Sequence, residues 1–244
     1  MAAIGCACCG GLSARAHASG GSAWSYEGAT GPNEWGALGK EYAACSQGAA
    51  QSPIDLSAPI SADLDGVAFR WPTETDGAVT NNGHTIQVNV PNGSAIKLDG
   101  TTYELLQFHF HHPSEHLLDG KPLAMEAHFV HRSSDGNLAV LGVLIDEGAE
   151  NAALAPIWAA MPAHTGDGPV VSVALKDLLP ADRTLFRYAG SLTTPPCSEI
   201  VNWVTFKTPI QASREQIAAF ATLFPMNARP VQPLNRRFLL LGGG

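Results

Sequence analysis

Residues 107–116, QFHFHHPSEH, hold four of the chain's nine histidines and constrain the fold more than any other stretch. Successive side chains of a β-strand point to opposite faces. On a strand, Gln107, His109 and His111 therefore share one face, with Leu106, Phe108 and Phe110 on the other. Imidazoles in a row, backed by aromatics, describe a buried metal site better than a solvated histidine tract. A third imidazole comes from 126–131, EAHFVH, where Glu126, His128 and Val130 face away from Ala127, Phe129 and His131. If the two strands pair through the Asp119-Gly120 turn, His128 lies beside His109 and His111. Three neutral imidazoles without thiolate or carboxylate ligands form a catalytic-type zinc site that leaves the fourth tetrahedral position to water. Gln107 and Glu126 each stand two residues before one of these histidines, where they offer acceptors for the other ring N–H.

The remaining pattern is mostly strand. Candidates lie at 67–71, 79–90, 94–98, 102–111, 123–132, 138–146 and 200–207. Turn pairs punctuate them: Asn92-Gly93, Asp99-Gly100, Asp119-Gly120 and Asp135-Gly136. The unbroken apolar run 138–145 is that of a strand buried on both faces. Helical pattern is confined to 152–161 and to 213–224, where Ser213 and Gln216 fit a capping box. Residues 24 to about 59, rich in Gly, Pro, Ser and Ala, are expected to form an extended arm over the core. With 244 residues and 45% hydrophobic content, the chain suits one domain with a sizeable core. The expected fold is mainly β (α+β): a single domain on a large twisted, mostly antiparallel sheet with a few short peripheral helices.

Net charge is −8 and the 14 basic residues form no run, which argues against a nucleic-acid partner. The run 138–145 is far too short to span a membrane, so no membrane partner is expected. Residues 1–18 read as a worn or truncated secretory signal, with Ala16-His17-Ala18 as an A-x-A cleavage site. No Lys or Arg precedes its apolar part, as an export signal would normally have. Cys6, Cys8 and Cys9 belong to this segment, and the mature domain covers 19–244. Two cysteines then remain, Cys45 and Cys197, and an even pair in an exported chain is expected to form a disulfide. Closing a loop of about 150 residues would contribute roughly 5 kcal/mol in the chain-entropy picture. Periplasmic or secreted location follows from the same reading.

QFHFH, PSEH, EAHFVH, GSLTTPPCSE at 190–199 and RPVQPLN at 229–235 together resemble the α-class carbonic anhydrases of the bacterial secreted kind. WSYEG at 24–28, QSPIDL at 51–56 and NNGHTIQV at 81–88 add to the likeness, which runs in order from about Trp24 to Phe238. The resemblance implies one zinc per chain, held by His109, His111 and His128. It implies that Gln107 orients His109, Glu126 orients His128 and the backbone carbonyl of Asn227 orients His111. Thr193 would donate its hydroxyl proton to Glu115 and accept one from zinc-bound hydroxide. Val130, Val140, Leu192, Val201 and Trp203 would wall the carbon dioxide pocket. Thr194, Asn82, Gln87 and Tyr26 would hold waters on the polar side.

The implied activity is reversible hydration of carbon dioxide to bicarbonate and a proton, by attack of zinc-bound hydroxide. The partners are this small-molecule pair, and the protein acts as a monomer or homodimer. His84 matches the position of the family's proton shuttle, and a histidine near pKa 6.5 suits relay at neutral pH. Strand alternation instead groups His84 with Ile86, Val88 and Val90, so a kink near Gly83 would be needed to aim it at the cavity. Among the other histidines, His116 is expected to hydrogen-bond internally and His131 to be a core or rim residue; His112 carries no assigned direction. Two rival readings differ in class. A catalytically silent carbonic-anhydrase-like binding domain should lack a ligand histidine. A cupin-like iron oxygenase should show a carboxylate ligand near its H-x-H.

Overall fold

The structure, a computed structural model, describes residues 24–243. The secretory reading of 1–18, with Cys6, Cys8 and Cys9, lies outside the described residues. A 13-stranded sheet carries the fold. Its long central strands are Thr101–His111, Met125–Ser133 and Leu138–Glu147. The first two run antiparallel, with Phe108 opposite Phe129 and His109 opposite His128. Alternation then sorts the side chains onto two faces. Phe108, Phe110 and Phe129 enter the larger core, where the Phe108 and Phe129 rings stack 4.9 Å apart. Each such ring contributes roughly 1.5–3 kcal/mol by leaving water. Leu138–Glu147 is buried on both faces, as its unbroken apolar run implies. Leu141 and Val143 join the larger core, while Val140 and Leu144 join a second cluster on the far face with Val201 and Trp203.

Outward from the centre lie Ile86–Asn89, Thr75–Asn81 and Gly166–Val173 on one side. On the other lie Val201–Phe206, Leu185–Gly190, Leu240–Gly242 and Ile60–Ser61. Antiparallel pairing predominates, but Leu138–Glu147 runs parallel to Val201–Phe206 and Leu240–Gly242 runs parallel to Ile60–Ser61. The result is a large, mixed, twisted sheet with few short helices, a mainly β fold. The helix Arg214–Leu223 begins where the capping box places it. Gln216 N–H donates to Ser213 Oγ at 3.2 Å, and Ser213 N–H donates to Gln216 Oε1 at 3.1 Å. The other expected helix shrinks to Ala155–Ala159.

Several sequence expectations are corrected by tertiary context. The candidate strand 79–90 is a hairpin: Asn81 pairs with Ile86, and Asn82 N–H donates to Thr85 O at 3.2 Å across the turn. Gly83, at φ +88°, takes the left-handed conformation this turn requires. The Asp119-Gly120 turn does not join the strands of His109 and His128 directly. It tips a separate small hairpin, Leu117–Leu118 with Lys121–Pro122. The N-terminal arm is less extended than its composition implies, since Trp35–Leu38 and Ala44–Gln47 are short helices around a fully buried Trp35. Cys45 and Cys197 are disulfide-bonded at 2.09 Å and pack against Trp35, which ties this arm to the loop that follows Gly190.

Candidate metal centre

Pairing register brings three imidazoles together on the face opposite the phenylalanines. His109 and His111 project from the same side of one strand, and His128 lies across from His109 on the next. Their ring centroids are 5.0 Å (His109–His111), 5.4 Å (His109–His128) and 4.6 Å (His111–His128) apart. One nitrogen from each ring falls within 4.8 Å of the others.

Behind each ring lies a different kind of acceptor, hydrogen-bonded to His109 and His111 and in close but unaligned contact with His128. His109 Nδ1 lies 2.9 Å from Gln107 Oε1, and His111 Nδ1 lies 2.7 Å from the backbone oxygen of Asn227. His128 Nε2 lies 2.9 Å from Glu126 Oε1. These contacts leave His109 Nε2, His111 Nε2 and His128 Nδ1 facing the common space. Burial lowers the pKa of all three rings, that of His111 to about 4, so each is a neutral nitrogen donor at neutral pH. His111 Nε2 is buried with no hydrogen-bond partner among the described residues. Three converging neutral imidazoles, two of them with a buried nitrogen that lacks an aligned hydrogen-bond partner, fit a zinc ion of open coordination.

Glu126 is a wholly buried carboxylate that accepts backbone N–H bonds from Glu115 at 3.0 Å and His116 at 2.9 Å, and a ring contact from His116 Nδ1 at 2.8 Å. Burial alone would raise its pKa, but the flanking imidazoles of His116 and His128 outweigh this and hold it well below the ordinary range. His116 passes the network on to Tyr188 Oη, 2.6 Å from its Nε2, so it bonds internally as expected. Glu115 is the counterpart. Its Oε1 accepts the Arg229 N–H at 2.8 Å, while Oε2 has no hydrogen-bond partner among the described residues and lies 3.5 Å from His111 Nε2 and 3.8 Å from His128 Nδ1. Burial pushes the Glu115 carboxyl up to about 7, against the pull of His128, the Arg229 N–H and the Thr193 hydroxyl. Thr193 thus sits close enough to bias this carboxyl without being an aligned hydrogen-bond partner of Oε2.

The loop carrying Thr193 is pinned at its start. Ser191 exchanges bonds with Ser52, through Ser52 N–H to Ser191 Oγ at 2.9 Å and Ser191 N–H to Ser52 Oγ at 3.0 Å. Trp203 Nε1 donates to Ser191 O at 3.0 Å. The expected apolar wall assembles in register: Val130 opposite Val140, and Val140 opposite Trp203. Val201 and Leu192 belong to the same cluster. On the polar side, Gln87 lies opposite His109 and accepts from Asn82 Nδ2 at 3.3 Å. Tyr26 is packed near enough to Glu115 for the carboxylate to raise its pKa, after the larger effect of burial. Thr194 is half-buried in the loop, and its O accepts the Cys197 N–H at 2.9 Å.

His84 does not join the three imidazoles. Alternation does not reach it, because it belongs to the Asn82–Thr85 turn rather than to the strand of Ile86 and Val88, both wholly buried in the core. Its ring lies flat on Trp24, with centroids 3.8 Å apart, and partial burial lowers its pKa. His112 Nδ1 lies 3.0 Å from Pro225 O. His131 is buried on the core face, stacked parallel to Trp71.

Two contributors escape sequence reasoning. Gly142 stands opposite His128, and a Cβ there would come within 2.8 Å of Thr205 Oγ1 and 3.1 Å of Glu126 Oε1. Arg229 is a buried cation whose guanidinium donates to Gln51 Oε1, Ser52 O and Cys45 O. Neither residue type at its position announces such a role.

A family model described as eukaryotic-type carbonic anhydrase matches residues 30–241. The carbonic anhydrase of Nostoc sp. is 46% identical over 226 residues, covering 89% of this chain and 85% of that protein. The carbonic anhydrase of Pectobacterium atrosepticum is 41% identical over 220 residues, covering 89% and 90%. Among solved structures, the α-carbonic anhydrase of Thermovibrio ammonificans in complex with the inhibitor sulfanilamide superposes with a TM-score of 0.88. It is 44% identical and covers 91% of this chain and all of that one. With its fold, its histidine cluster and its sequence in agreement, the chain belongs to the eukaryotic-type carbonic anhydrase family.

Proposed function

We propose that this chain catalyses the reversible hydration of carbon dioxide to bicarbonate and a proton, with one zinc ion held by His109, His111 and His128. The observation that carries the reading is the convergence of three neutral imidazole nitrogens beside the unpartnered Glu115 Oε2. Zinc supplies a Lewis acid at this point and lowers the pKa of water to about 7, behaviour for which carbonic anhydrases are themselves the standard example. Gln107, Asn227 O and Glu126 fix the ring orientations. When ionised, Glu115 is acceptor-only and would draw the Thr193 O–H toward itself, leaving Thr193 Oγ1 free to accept a hydrogen bond on its other side. Val130, Val140, Leu192, Val201 and Trp203 offer carbon dioxide an apolar wall that excludes water. Tyr26, Asn82, Gln87 and Thr194 order water on the opposite side, and His84 carries the released proton to buffer.

The silent-domain reading is not favoured, because all three ligand positions are histidine. Stopped-flow hydration measured on protein of known zinc content separates the two: one zinc per chain with no turnover would make this a binding domain. His84→Ala should lower kcat, spare kcat/KM and recover with imidazole buffer, since a shuttle acts after carbon dioxide has been attacked. The proposal includes export to the periplasm or beyond as a monomer or homodimer, with residues 1–18 removed. The Cys45–Cys197 disulfide supports an oxidising compartment. An intact mass showing retained residues 1–18 in exported protein would contradict it.

A further inference from the structure

Asn227 does more than lend a carbonyl to His111. The residue is 1% exposed and reaches two parts of the site that are distant in sequence. Its backbone oxygen accepts from His111 Nδ1, and its backbone N–H donates to His112 O at 3.1 Å. The side-chain amide is then fully used. Oδ1 accepts the His112 N–H at 2.7 Å, and Nδ2 donates to Phe110 O at 3.0 Å and to His84 O at 2.9 Å. One amide thus bonds the end of the strand that carries His109 and His111 and the turn that carries His84.

That turn is well organised within itself. Asn82 Oδ1 accepts the N–H groups of His84 at 2.9 Å and Thr85 at 3.0 Å, and Asn81 Oδ1 accepts the Gly83 N–H at 2.9 Å. Toward the metal strand, Thr85 Oγ1 and Asn227 Nδ2 both donate to Phe110 O and the Phe110 N–H donates to Thr85 Oγ1 at 3.3 Å; among the described residues, the Asn227 amide is the one group from outside the turn that bonds the backbone of His84. The imidazole of His84 has its flat contact with Trp24 and no hydrogen-bond partner among the described residues that would fix where the ring stands. Its position relative to the metal centre is therefore set by the Trp24 stack and by the main chain of the turn.

We infer that the Asn227 side-chain amide is a positioning residue for proton transfer, locking the His84 turn at a fixed distance from the end of the His109–His111 strand. This rests on the reading of His84 as proton carrier. The chemistry of attack on carbon dioxide does not pass through this amide, because the carbonyl that orients His111 belongs to the backbone and survives any substitution of the side chain.

The test is a double-mutant cycle between Asn227→Ala and His84→Ala, with hydrogen exchange as a readout independent of turnover. In the metal-free protein, Asn227→Ala should speed amide exchange across 82–85 while the amides of 125–133 keep their protection. In the zinc-loaded protein, kcat should fall about fivefold, the factor carried by the one of the three lost side-chain hydrogen bonds that reaches His84 O, with kcat/KM retained and imidazole restoring kcat. In the His84→Ala background, Asn227→Ala should lower kcat no further. If Asn227→Ala does not fold, Asn227→Asp replaces it, keeping the Oδ1 acceptor and removing both donors. Additive losses in the cycle, or unchanged exchange across 82–85, would overturn the inference. A His84→Ala enzyme with normal kcat would instead overturn the shuttle reading on which it stands.

Discussion

His128 and His131 stand three residues apart on one strand, both buried, and they face opposite ways. His131 lies in the aromatic core, with Nδ1 2.9 Å from Phe129 O and its ring parallel to Trp71. His128 lies on the other face, backed by Glu126, with its second nitrogen open toward two more imidazoles. The same contrast extends along the pair of strands. The Phe108, Phe110 and Phe129 face is packed by apolar contacts around two unpartnered nitrogens, His131 Nε2 and Trp71 Nε1, whereas the His109, His111 and His128 face sets an unpartnered nitrogen and an unpartnered carboxylate oxygen together, His111 Nε2 lying 3.5 Å from Glu115 Oε2. One face supplies stability and the other holds polar groups in an arrangement that a metal would complete.

Substitutions on the two faces should therefore separate cleanly. His128→Ala should cut hydration at least about a hundredfold, beyond what loss of an outer hydrogen-bonding partner does, and weaken zinc retention while the metal-free fold persists. Phe129→Ala should instead destabilise the fold by about 3–5 kcal/mol, with the folded fraction still retaining zinc. Thermal melts beside metal analysis of both variants would decide it; a Phe129→Ala protein that loses zinc but not stability would erase the distinction.

A smaller effect sharpens the site face. Glu126→Gln keeps the shape but loses a carboxylate that serves His128, His116 and two backbone N–H groups. Zinc affinity should fall about 10- to 100-fold, measured by competition with a chelator, and unchanged affinity would mean that Glu126 does not orient His128.

The last prediction concerns the core face and acid. Burial pushes the His131 pKa down to about 3, whereas the unfolded chain takes up this proton near 6.5. The folded state then binds fewer protons between those values. The contribution of neutral His131 is whole above about 6.5 and is lost as pH falls toward about 3, by at most about 1.4 kcal/mol per pH unit. His131→Phe keeps a ring against Trp71 and removes the titration, so metal-free stability should fall less steeply with acid than in the parent. Denaturant midpoints measured from pH 7 to 4 with identical slopes would contradict this.

Much of this contrast is legible in the sequence, because a period of two is a local property. QFHFH and EAHFVH assign each residue to its face without reference to the rest of the chain, and the run 138–145 marks its strand as buried on both sides. Legibility stops where side chains from elsewhere take over. The stretch 79–90 alternates plausibly as one strand, but Asn81 and Asn82 cap a turn with their own side chains and remove His84 from the pattern. Asn227 lies 116 residues from His111 and is placed in the sequence by family resemblance alone; its side-chain bonds to His84 and Phe110 have no sequence signal. Gly142 is inconspicuous in an apolar run, yet the space above it is where Glu126 Oε1 sits.

The central claim is that the polar face of these two strands is a three-imidazole metal centre, and X-ray absorption of the zinc-loaded protein tests it most directly. The account predicts one zinc per chain with three imidazole nitrogens at about 2.0–2.1 Å and one oxygen from solvent completing a tetrahedron. A carboxylate of Glu115 or Glu126 in the coordination shell, a fourth protein nitrogen, or a spectrum unchanged in His128→Ala would contradict it.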